Sequence, residues 1–497
     1  MAPKPRNKAD RTGGSRLSVR ALLNSVKWSL PLALALAVTA CSTMGSLGDL
    51  FFGGGANKPH PGVPGYVTGF IGDVVADEPR AALAGKEILS AGGDAADAAV
   101  AVGLSLAVTL PSRAGLGGGG ACIAYTKDPK GPAQGVPEAI LFVSPAVQSV
   151  GGGDRPAAVP MLARGLFLLH ARHGRLPFES LIIKSEQLAR FGVPASHALT
   201  RDLALVAGPL FGDPSARAVF GPSGAPLAEG QGLVQPELAA TLAQLRVSGV
   251  GDLYLGVLAR RIALASPVAG VPIGLADLRA GLPSIATPVS VPFGEDRVVF
   301  PPTEGGVAAA ASFMALKSQP SDGQAALMRG LAAAARWHLG GANSDQVLNG
   351  ELVAPAAVPL FPASTTFATL DPDGNAVVCA MTMNNLFGTG RMVPGLGFLA
   401  AASPASVTPP LLSVGLALSQ YNSAFHTEAG GSGQSGAALA TAVALLNSLH
   451  SGQPMSALVP DPGRANAIAC GRYLPGSETS CAAAVDPRES GMAVNGN

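Results

Sequence analysis

Hydroxyl side chains lie at the ends of two runs that are rich in β-branched residues. The first run begins with Ser364 and Thr365, and the second ends with Thr382 and Asn384. Residues 371–374 between them read Asp-Pro-Asp-Gly, which is typical of a tight turn. The pattern predicts a β-hairpin that could hold a hydroxyl nucleophile beside the groups that orient it.

The chain before the hairpin indicates how such a hydroxyl could be activated. Residues 343–363 are rich in Pro, Ala and Val without a clear period, which predicts an extended connector. A connector that ends at Ser364 suits an N-terminal nucleophile, because breaking the preceding peptide bond frees an α-amine that serves as the residue's own base. Threonine also favours strands for structural reasons, so the hairpin alone does not decide the function.

Further blocks, rich in glycine and small residues, follow one another along the chain. They include Ala-Gly-Gly-Asp-Ala-Ala-Asp-Ala-Ala at 91–99, a glycine loop at 115–120, and segments at 162–178, 188–192 and 371–390. As an ordered set these blocks resemble the γ-glutamyltransferase (glutathione hydrolase) family. The resemblance covers roughly residues 70–450, and no single block would suffice.

The resemblance implies a fold and a division of the chain. The expected fold is α+β, a four-layer αββα sandwich of the N-terminal-nucleophile hydrolase type. Members are made as one precursor, which here would be split between Ala363 and Ser364 into a large-subunit region (66–363) and a small-subunit region (364–497).

The resemblance also assigns roles within the hairpin. Counting back from Asp371 without a gap places the nucleophile at Ser364, whereas a one-residue deletion would place it at Thr365. We prefer Ser364, because Thr382 and Asn384 also match the family's motif without a gap. A one-residue slip would also turn every later side chain of the strand to the opposite face. Thr382 resembles the hydroxyl that positions the nucleophile's amine. Asn384 resembles the side chain that contacts the substrate's amino group.

Two glycines later in the chain resemble the family's oxyanion hole. Gly430 and Gly431 correspond to the pair whose backbone N–H groups face the developing negative charge. Glycine pairs are common in a chain with 64 glycines. The oxyanion-hole interpretation therefore rests on the place of this pair in the order of motifs, and not on its residue types.

Expected substrate contacts are missing at three places. Val143 stands where the family's Phe-Arg-Glu segment has the Arg that grips the glutamyl α-carboxylate. Residues 400–406 correspond to the acidic segment that holds the α-amino group, yet they contain no carboxylate. Of the family's Ser-Ser pair only Ser413 remains, beside Leu412.

Two arginines are candidates for replacing the lost guanidinium, Arg113 as a substrate-binding residue and Arg391 as its alternative. The leading hypothesis is an exported acyl-transfer enzyme that hydrolyses or transfers a γ-glutamyl or similar acyl group from a small amide or peptide through an acyl-enzyme, without a cofactor. Two alternatives stay open. One is an N-terminal-nucleophile amidase or acylase of another acyl specificity, and the other is a non-catalytic, envelope-anchored relative.

The glycine loop at 115–120 formally matches a dinucleotide-binding fingerprint, which needs a strand before it and a helix after it. The reverse order is predicted, since residues 94–108 indicate a helix and residues 121–125 a strand. We therefore exclude nucleotide binding. A net charge of +1 and the lack of a basic patch beyond the extreme N-terminus exclude a nucleic-acid partner.

The N-terminus resembles a bacterial lipoprotein signal. Basic residues precede an apolar run at 28–38, and Ala40-Cys41-Ser42 then resembles a lipobox. We expect a signal peptide at 1–40, lipidation of Cys41, a Gly/Pro-rich tether at 41–65, and a position on the periplasmic side of the envelope as an outer-membrane lipoprotein. The alternative is an ordinary signal peptide cut near Ala40.

The remaining cysteines and the histidines predict no metal site. Cys470 and Cys481 flank a Gly- and Pro-containing loop and form a plausible disulfide in an exported protein, whereas Cys122 and Cys379 are expected to be buried thiols. The histidines at 170 and 173 are three apart without a partnering ligand nearby in sequence, so we expect a solvated helix face.

Overall fold

The computed structural model describes most of the chain from residue 60 onward. The described residues are 60–127, 135–151, 153–340, 343–350, 363–454 and 459–496. The predicted signal peptide, Cys41, most of the tether and residues 351–362 of the predicted connector lie outside them. The prediction of extended chain is wrong at 344–349, because Asn343 caps a short helix there. Within these residues, no helix combines the length and the apolar character needed to cross a membrane.

The described chain contains both helices and strands, in runs of each. The α-helices are α1 (Pro79–Ser90), α2 (Ala95–Thr109), α3 (Leu162–His173), α4 (Phe178–Phe191), α5 (His197–Leu210), α6 (Pro214–Phe220), α7 (Pro236–Ser248), α8 (Asp252–Leu255), α9 (Val257–Ala265), α10 (Leu275–Ala280), α11 (Glu304–Ser318), α12 (Gly323–His338), α13 (Ser344–Asn349) and α14 (Ala437–Ser451). The strands are β1 (Asp73–Ala76), β2 (Gly119–Tyr125), β3 (Glu138–Phe142), β4 (Val193–Pro194), β5 (Gly232–Leu233), β6 (Ser284–Ala286), β7 (Val289–Phe293), β8 (Asp296–Phe300), β9 (Ser364–Leu370), β10 (Ala376–Thr382), β11 (Ser413–Ser419), β12 (Phe425–Ser432), β13 (Arg464–Leu474), β14 (Cys481–Val485) and β15 (Met492–Val494).

Two antiparallel sheets form the centre of the described fold. Sheet A has seven strands in the order β15-β1-β9-β10-β2-β3-β6, and sheet B has six in the order β14-β13-β12-β11-β8-β7. Strands from the two sides of the predicted cleavage bond are neighbours, since β1 pairs with β9 and β2 with β10. The two predicted subunit regions therefore share one sheet.

Buried apolar side chains form three layers between these elements. One layer lies between sheet A and its helices, with Leu104 of α2 and Met381 of β10. A second packs sheet B against helices that include α11, with Phe313. The third fills the space between the sheets, with Val378 of β10 and Leu416 of β11. The order helix, sheet, sheet, helix is the predicted four-layer αββα sandwich.

Helix α2 shows how the sequence specifies a central element. Asp94 Oδ1 accepts a hydrogen bond from Asp97 N at 2.9 Å, and Asp97 Oδ2 accepts one from Asp94 N at 3.2 Å. This reciprocal capping fixes the start of the helix. All 15 residues of α2 are buried, which its run of Ala, Val and Leu permits. The predicted helix at 94–108 and the predicted strand at 121–125 are confirmed, with the glycine loop between them.

Candidate functional site

The predicted hairpin is confirmed as β9 and β10, which pair antiparallel with Ser364 opposite Thr382. Side chains alternate along a strand, so Ser364 shares a face with Thr366. Thr366 Oγ1 donates to Gly430 O of sheet B at 3.3 Å. Phe367, on the other face, belongs to the core on the helix side. Ser364 therefore faces the space between the two sheets.

The turn of the hairpin is fixed by the carboxylate of Asp371. Its Oδ1 accepts hydrogen bonds from Asp373 N at 2.9 Å and Asn375 N at 3.1 Å, and its Oδ2 accepts one from Ala95 N at 3.1 Å. Burial raises the pKa of Asp371 to about 6, against the opposing effect of the Asn375 side-chain hydrogen bond. Because Ala95 begins α2, these bonds tie the hairpin to the helix layer.

The two candidate nucleophiles have different surroundings. Ser364 is fully buried, and its Oγ has no hydrogen-bond partner among the described residues. Thr365 points to the opposite face, where its Oγ1 donates to Asp77 Oδ2 at 2.7 Å. Between the two hydroxyls, that of Ser364 is the unengaged one.

A hydrogen-bond network next to Ser364 joins the two sheets. Asp77 Oδ2 accepts a second bond from Thr366 N at 3.1 Å, and Asp77 Oδ1 accepts one from Asn466 Nδ2 at 2.7 Å. Asn466 lies on β13 of sheet B and also donates to Thr366 O at 2.9 Å. Sequence reasoning missed this network, because Asp77 and Asn466 are 389 residues apart and neither belongs to a local motif.

Thr382 and Asn384 lie beside the predicted cleavage bond. Thr382 Oγ1 donates to Ala363 O at 2.7 Å and accepts from Asn384 N at 2.8 Å. Asn384 has a φ of 61°, a left-handed conformation that few residues other than glycine adopt. Asn384 Nδ2 donates to Ala402 O at 2.8 Å, whereas its buried Oδ1 has no partner among the described residues. One buried acceptor next to the bond is thus unengaged among the described residues.

The glycine loop before β2 packs directly on this end of the hairpin. A Cβ on Gly118 would lie 2.3 Å from Thr382 O, and one on Gly117 would lie 2.2 Å from Leu399 O. Only residues without a side chain allow this approach, so the glycines permit close packing against the site.

Gly430 and Gly431 lie within strand β12, between β11 and β13. Gly430 is opposite Asn466, and a Cβ added to it would lie 2.7 Å from the Cβ of Thr366. Glycine therefore lets β12 approach the nucleophile strand closely. The oxyanion-hole role of the two glycines stays a prediction.

A pocket of about 290 Å³ opens beside Thr382 and Asn384. Its lining residues are Val143, Thr303, Glu304, Gly305, Trp337, His338, Thr382, Asn384, Pro404, Pro409, Pro410 and Leu412. The positions with missing family contacts meet here: Val143, Pro404 from the segment at 400–406, and Leu412 all line the pocket.

Arg113 and Ser413 do not line this pocket, and their role in binding substrate stays a prediction. Arg113 is buried, and its Nε and Nη2 donate to the Asp202 carboxylate at 2.8 and 3.0 Å. Ser413 is buried too, and its Oγ donates to Thr441 Oγ1 of α14 at 2.9 Å. Both side chains are engaged in the interior. The alternative cation, Arg391, pairs with an aspartate at 2.8 Å and is likewise absent from the lining.

The four cysteines of the described chain form two disulfides. Cys470 on β13 is bonded to Cys481 on β14, and Cys122 on β2 is bonded to Cys379 on β10. The prediction of separate buried thiols at Cys122 and Cys379 is wrong, because antiparallel pairing places the two residues directly opposite each other. They are 257 residues apart, and no local pattern indicates that their strands are neighbours.

The histidines of α3 have structural surroundings. His173 is buried, with Nδ1 2.9 Å from Thr126 Oγ1, so the predicted solvated face is wrong for this residue. Burial lowers the pKa of His173 to about 4. Among the described residues, no group of three or more His, Cys, Asp or Glu is arranged to hold a metal ion.

Sequence reasoning also missed two buried carboxyl groups. Glu428 on β12 is fully buried, and neither of its oxygens has a partner in the described chain. Burial, and secondarily the negative charge of Asp73, raises the pKa of Glu428 well above its usual value. Burial raises the pKa of Asp73 to about 6, although Gly496 N donates to its Oδ1 at 2.9 Å. Burial of a carboxyl without compensating bonds favours its protonated form.

Comparison with known proteins identifies the family. The gamma-glutamyltranspeptidase family model matches residues 81–340, just over half of the chain. The chain belongs to this family.

The individual relatives share between about a fifth and just over a quarter of the aligned residues with this chain. Glutathione hydrolase 3 of Arabidopsis thaliana is 27% identical over 392 residues, which cover 69% of this chain and 62% of the relative, less than two thirds of its length. The capsule biosynthesis protein CapD proenzyme of Bacillus anthracis is 26% identical over 408 residues, covering 75% and 72%. The crystal structure of a cephalosporin acylase from Bacillus halodurans superposes with a TM-score of 0.69 at 19% identity and covers 86% of this chain and 96% of the acylase. At that identity the likeness shows a shared fold.

Proposed function

We propose that this chain is a precursor that cleaves its own backbone between Ala363 and Ser364 and then acts as an amide-cleaving acyl-transfer enzyme. The observation that best supports this lies at the bond itself. Thr382 Oγ1 donates to Ala363 O at 2.7 Å, while the adjacent Ser364 hydroxyl is buried and unengaged among the described residues. Attack by a serine on the preceding carbonyl needs a polarised carbonyl and a free hydroxyl.

Self-cleavage would begin with attack of Ser364 Oγ on the carbonyl carbon of Ala363. The hydroxyl proton passes to the amide nitrogen as the C–N bond breaks, which leaves an ester between the two residues and a free α-amine on Ser364. Water then hydrolyses the ester, so that Ala363 ends one chain as a carboxylate and Ser364 begins the other. The two chains would stay together, because strands from both form sheet A.

Turnover would use the freed α-amine of Ser364 as general base. Ser364 Oγ attacks the substrate's acyl carbon while this amine takes the hydroxyl proton and passes it to the departing amine. Water, or an acceptor amine, then takes the acyl group from the Ser364 ester. Backbone N–H groups of Gly430 and Gly431 would stabilise the oxyanion, and one such donor typically contributes about 3 to 4 kcal/mol.

The acyl group that the family resemblance implies is γ-glutamyl or a similar group, and the name of one relative, a glutathione hydrolase, supports it. The name of another relative, a proenzyme, supports cleavage of a precursor. The lining of the pocket beside Thr382 favours a second candidate, an amidase or acylase with another acyl specificity.

We further propose export and lipid anchoring at Cys41, supported by the lipobox-like sequence alone. Cys41→Ser should abolish metabolic labelling with a fatty acid and release the protein from the membrane fraction. Unchanged labelling would refute the lipobox.

Denaturing electrophoresis under reducing conditions tests the proposed function. Wild type should give two fragments, and so should Thr365→Val, which removes the other candidate hydroxyl while keeping the side chain's shape. Ser364→Ala should stay intact. An uncut wild type would contradict the proposal and favour a non-catalytic relative. An intact Thr365→Val beside a cut Ser364→Ala would move the nucleophile to Thr365.

A further inference from the structure

The pocket beside the Ala363–Ser364 bond has mostly apolar walls. Six of its lining side chains are hydrophobic or proline: Val143, Trp337, Pro404, Pro409, Pro410 and Leu412. They come from separate parts of the chain, namely the end of β3, the last turn of α12 and the segment before β11. An apolar lining assembled from several elements is typical of a site that removes an apolar group from water.

The charges in this pocket do not suit an anionic substrate group. Among the described residues that line the pocket, Glu304, at the start of α11, is the one carboxylate, and none is Lys or Arg. Glu304 Oε1 lies 2.6 Å from Nδ1 of His338. A substrate carboxylate here would lack a guanidinium partner and would lie near a carboxylate of the same charge, which disfavours binding.

Two polar residues of the lining, Thr382 and Asn384, connect the pocket to the predicted cleavage bond. Thr382 Oγ1 lies 2.7 Å from Ala363 O, and Thr382 is opposite Ser364 in the hairpin. Ser364 itself is buried and is not one of the lining residues. In the proposed function, a substrate whose acyl carbon reaches Ser364 would pass Thr382 and place its acyl chain among the other lining residues, which include Trp337 and Leu412.

We propose that the acyl group transferred by this enzyme is uncharged and apolar, such as an aliphatic or arylacetyl group in an amide, and is not the zwitterionic glutamyl head. This rests on the proposed function, in which Ser364 is the acyl acceptor. Val143, Trp337 and Leu412 determine the specificity by enclosing the acyl chain, and Glu304 discriminates against carboxylates. The volume of about 290 Å³ sets the length at which further methylenes no longer fit.

Three p-nitroanilides with the same five-carbon acyl chain test this specificity: pentanoyl, glutaryl and γ-glutamyl. They differ at the far end, which is a methyl group, a carboxylate or an amino-acid head. Self-cleaved wild type should favour pentanoyl by at least about tenfold in kcat/KM, because charged ends lack partners in the pocket. From acetyl to pentanoyl, kcat/KM should rise about fourfold for each methylene buried.

Two variants test whether the pocket determines this substrate preference. Trp337→Ala should lower kcat/KM for pentanoyl about tenfold through KM, with self-cleavage retained. Glu304→Gln should raise kcat/KM for glutaryl several-fold relative to pentanoyl. If Trp337→Ala destabilises the protein, Trp337→Phe supplies the same comparison with a smaller loss of apolar contact.

The outcomes separate the two proposals. A self-cleaved enzyme that prefers γ-glutamyl or glutaryl over pentanoyl overturns the apolar specificity and leaves the proposed function intact. A self-cleaved enzyme without a rise along the aliphatic series overturns it as well. A protein that stays uncut and cleaves none of the amides overturns both.

Discussion

The nucleophile hairpin and the neighbouring pocket follow the family to different degrees. In the hairpin, Ser364 is opposite Thr382, with Asn384 two residues further on, as the resemblance implies. In the pocket, Val143 and Leu412 occupy positions where polar substrate contacts were expected. Under the proposed function, the hairpin keeps the groups that acyl transfer would need, whereas the pocket lacks residues that the resemblance implies would hold a glutamyl group.

The difference has a physical reason. The hairpin is buried between two strands of sheet A, where a shift of one residue would turn Ser364 to the wrong face. The pocket is formed largely by helix ends and by irregular chain before β11, where side chains change at little cost to folding. If the proposed function is right, catalysis and specificity are carried by separate parts of the molecule.

The largest expected effect concerns the bond that ties the hairpin to the other proposed chain. Because the disulfide between Cys122 and Cys379 crosses the proposed cleavage, self-cleaved wild type should run as one species without reductant and as two with it. Cys379→Ser should give two species in both conditions and lower the melting temperature, since a disulfide typically contributes about 2 to 4 kcal/mol. Cys481→Ser is the control, because Cys470 and Cys481 both follow the cleavage bond. Wild type that separates without reductant would contradict this linkage.

A smaller effect is expected for the hydroxyl at the cleavage bond. Thr382→Val removes the hydrogen bond to Ala363 O and should slow self-cleavage roughly 10- to 100-fold, since such a bond contributes about 1 to 3 kcal/mol. Thr382→Ser keeps the hydroxyl and should cleave at close to the wild-type rate. The time course of fragment formation measures both rates. Equal rates for Val and Ser would show that the hairpin does not need this bond.

Restoring a family contact in the pocket should change specificity alone. Val143→Arg supplies a guanidinium in the lining and should raise kcat/KM for γ-glutamyl p-nitroanilide about tenfold, because charge-assisted bonds to a carboxylate are worth about 1.5 to 3 kcal/mol before desolvation. Val143→Leu is the control for size, and self-cleavage should be unaffected in both variants. Unchanged γ-glutamyl turnover in Val143→Arg would show that this position does not contact the acyl group.

The smallest effect should come from Glu428, buried between the sheets and outside the pocket lining. Burial raises the pKa of Glu428 in the folded state, so the unfolded chain releases this proton at a lower pH than the folded chain does. The stability of the folded state therefore falls as the pH rises above the ordinary pKa of a glutamate. Glu428→Gln removes this penalty. The difference between the melting temperature of Glu428→Gln and that of wild type should therefore be larger at pH 8 than at pH 5, by roughly 2 °C or more. A difference that does not vary with pH would contradict the raised pKa.

Local patterns were sufficient to predict the hairpin and the helix-loop-strand order around residues 94–125, because turn residues, capping residues and strand alternation act over a few positions. The contacts that sequence reasoning missed join distant segments. Asn466 reaches Asp77 across the sheets, and Cys379 meets Cys122 through strand pairing. Arg113 pairs with the buried Asp202, which is 89 residues away and follows no recognisable spacing.

The N-terminal residue of the small chain tests the central claim most directly. Purified wild type, reduced and separated, should yield a C-terminal fragment whose Edman sequence begins Ser-Thr-Thr-Phe at Ser364, with a mass that matches residues 364–497. A fragment that begins at Thr365 would move the nucleophile to the other face of β9. A chain that stays whole would contradict self-cleavage and the catalytic role of Ser364.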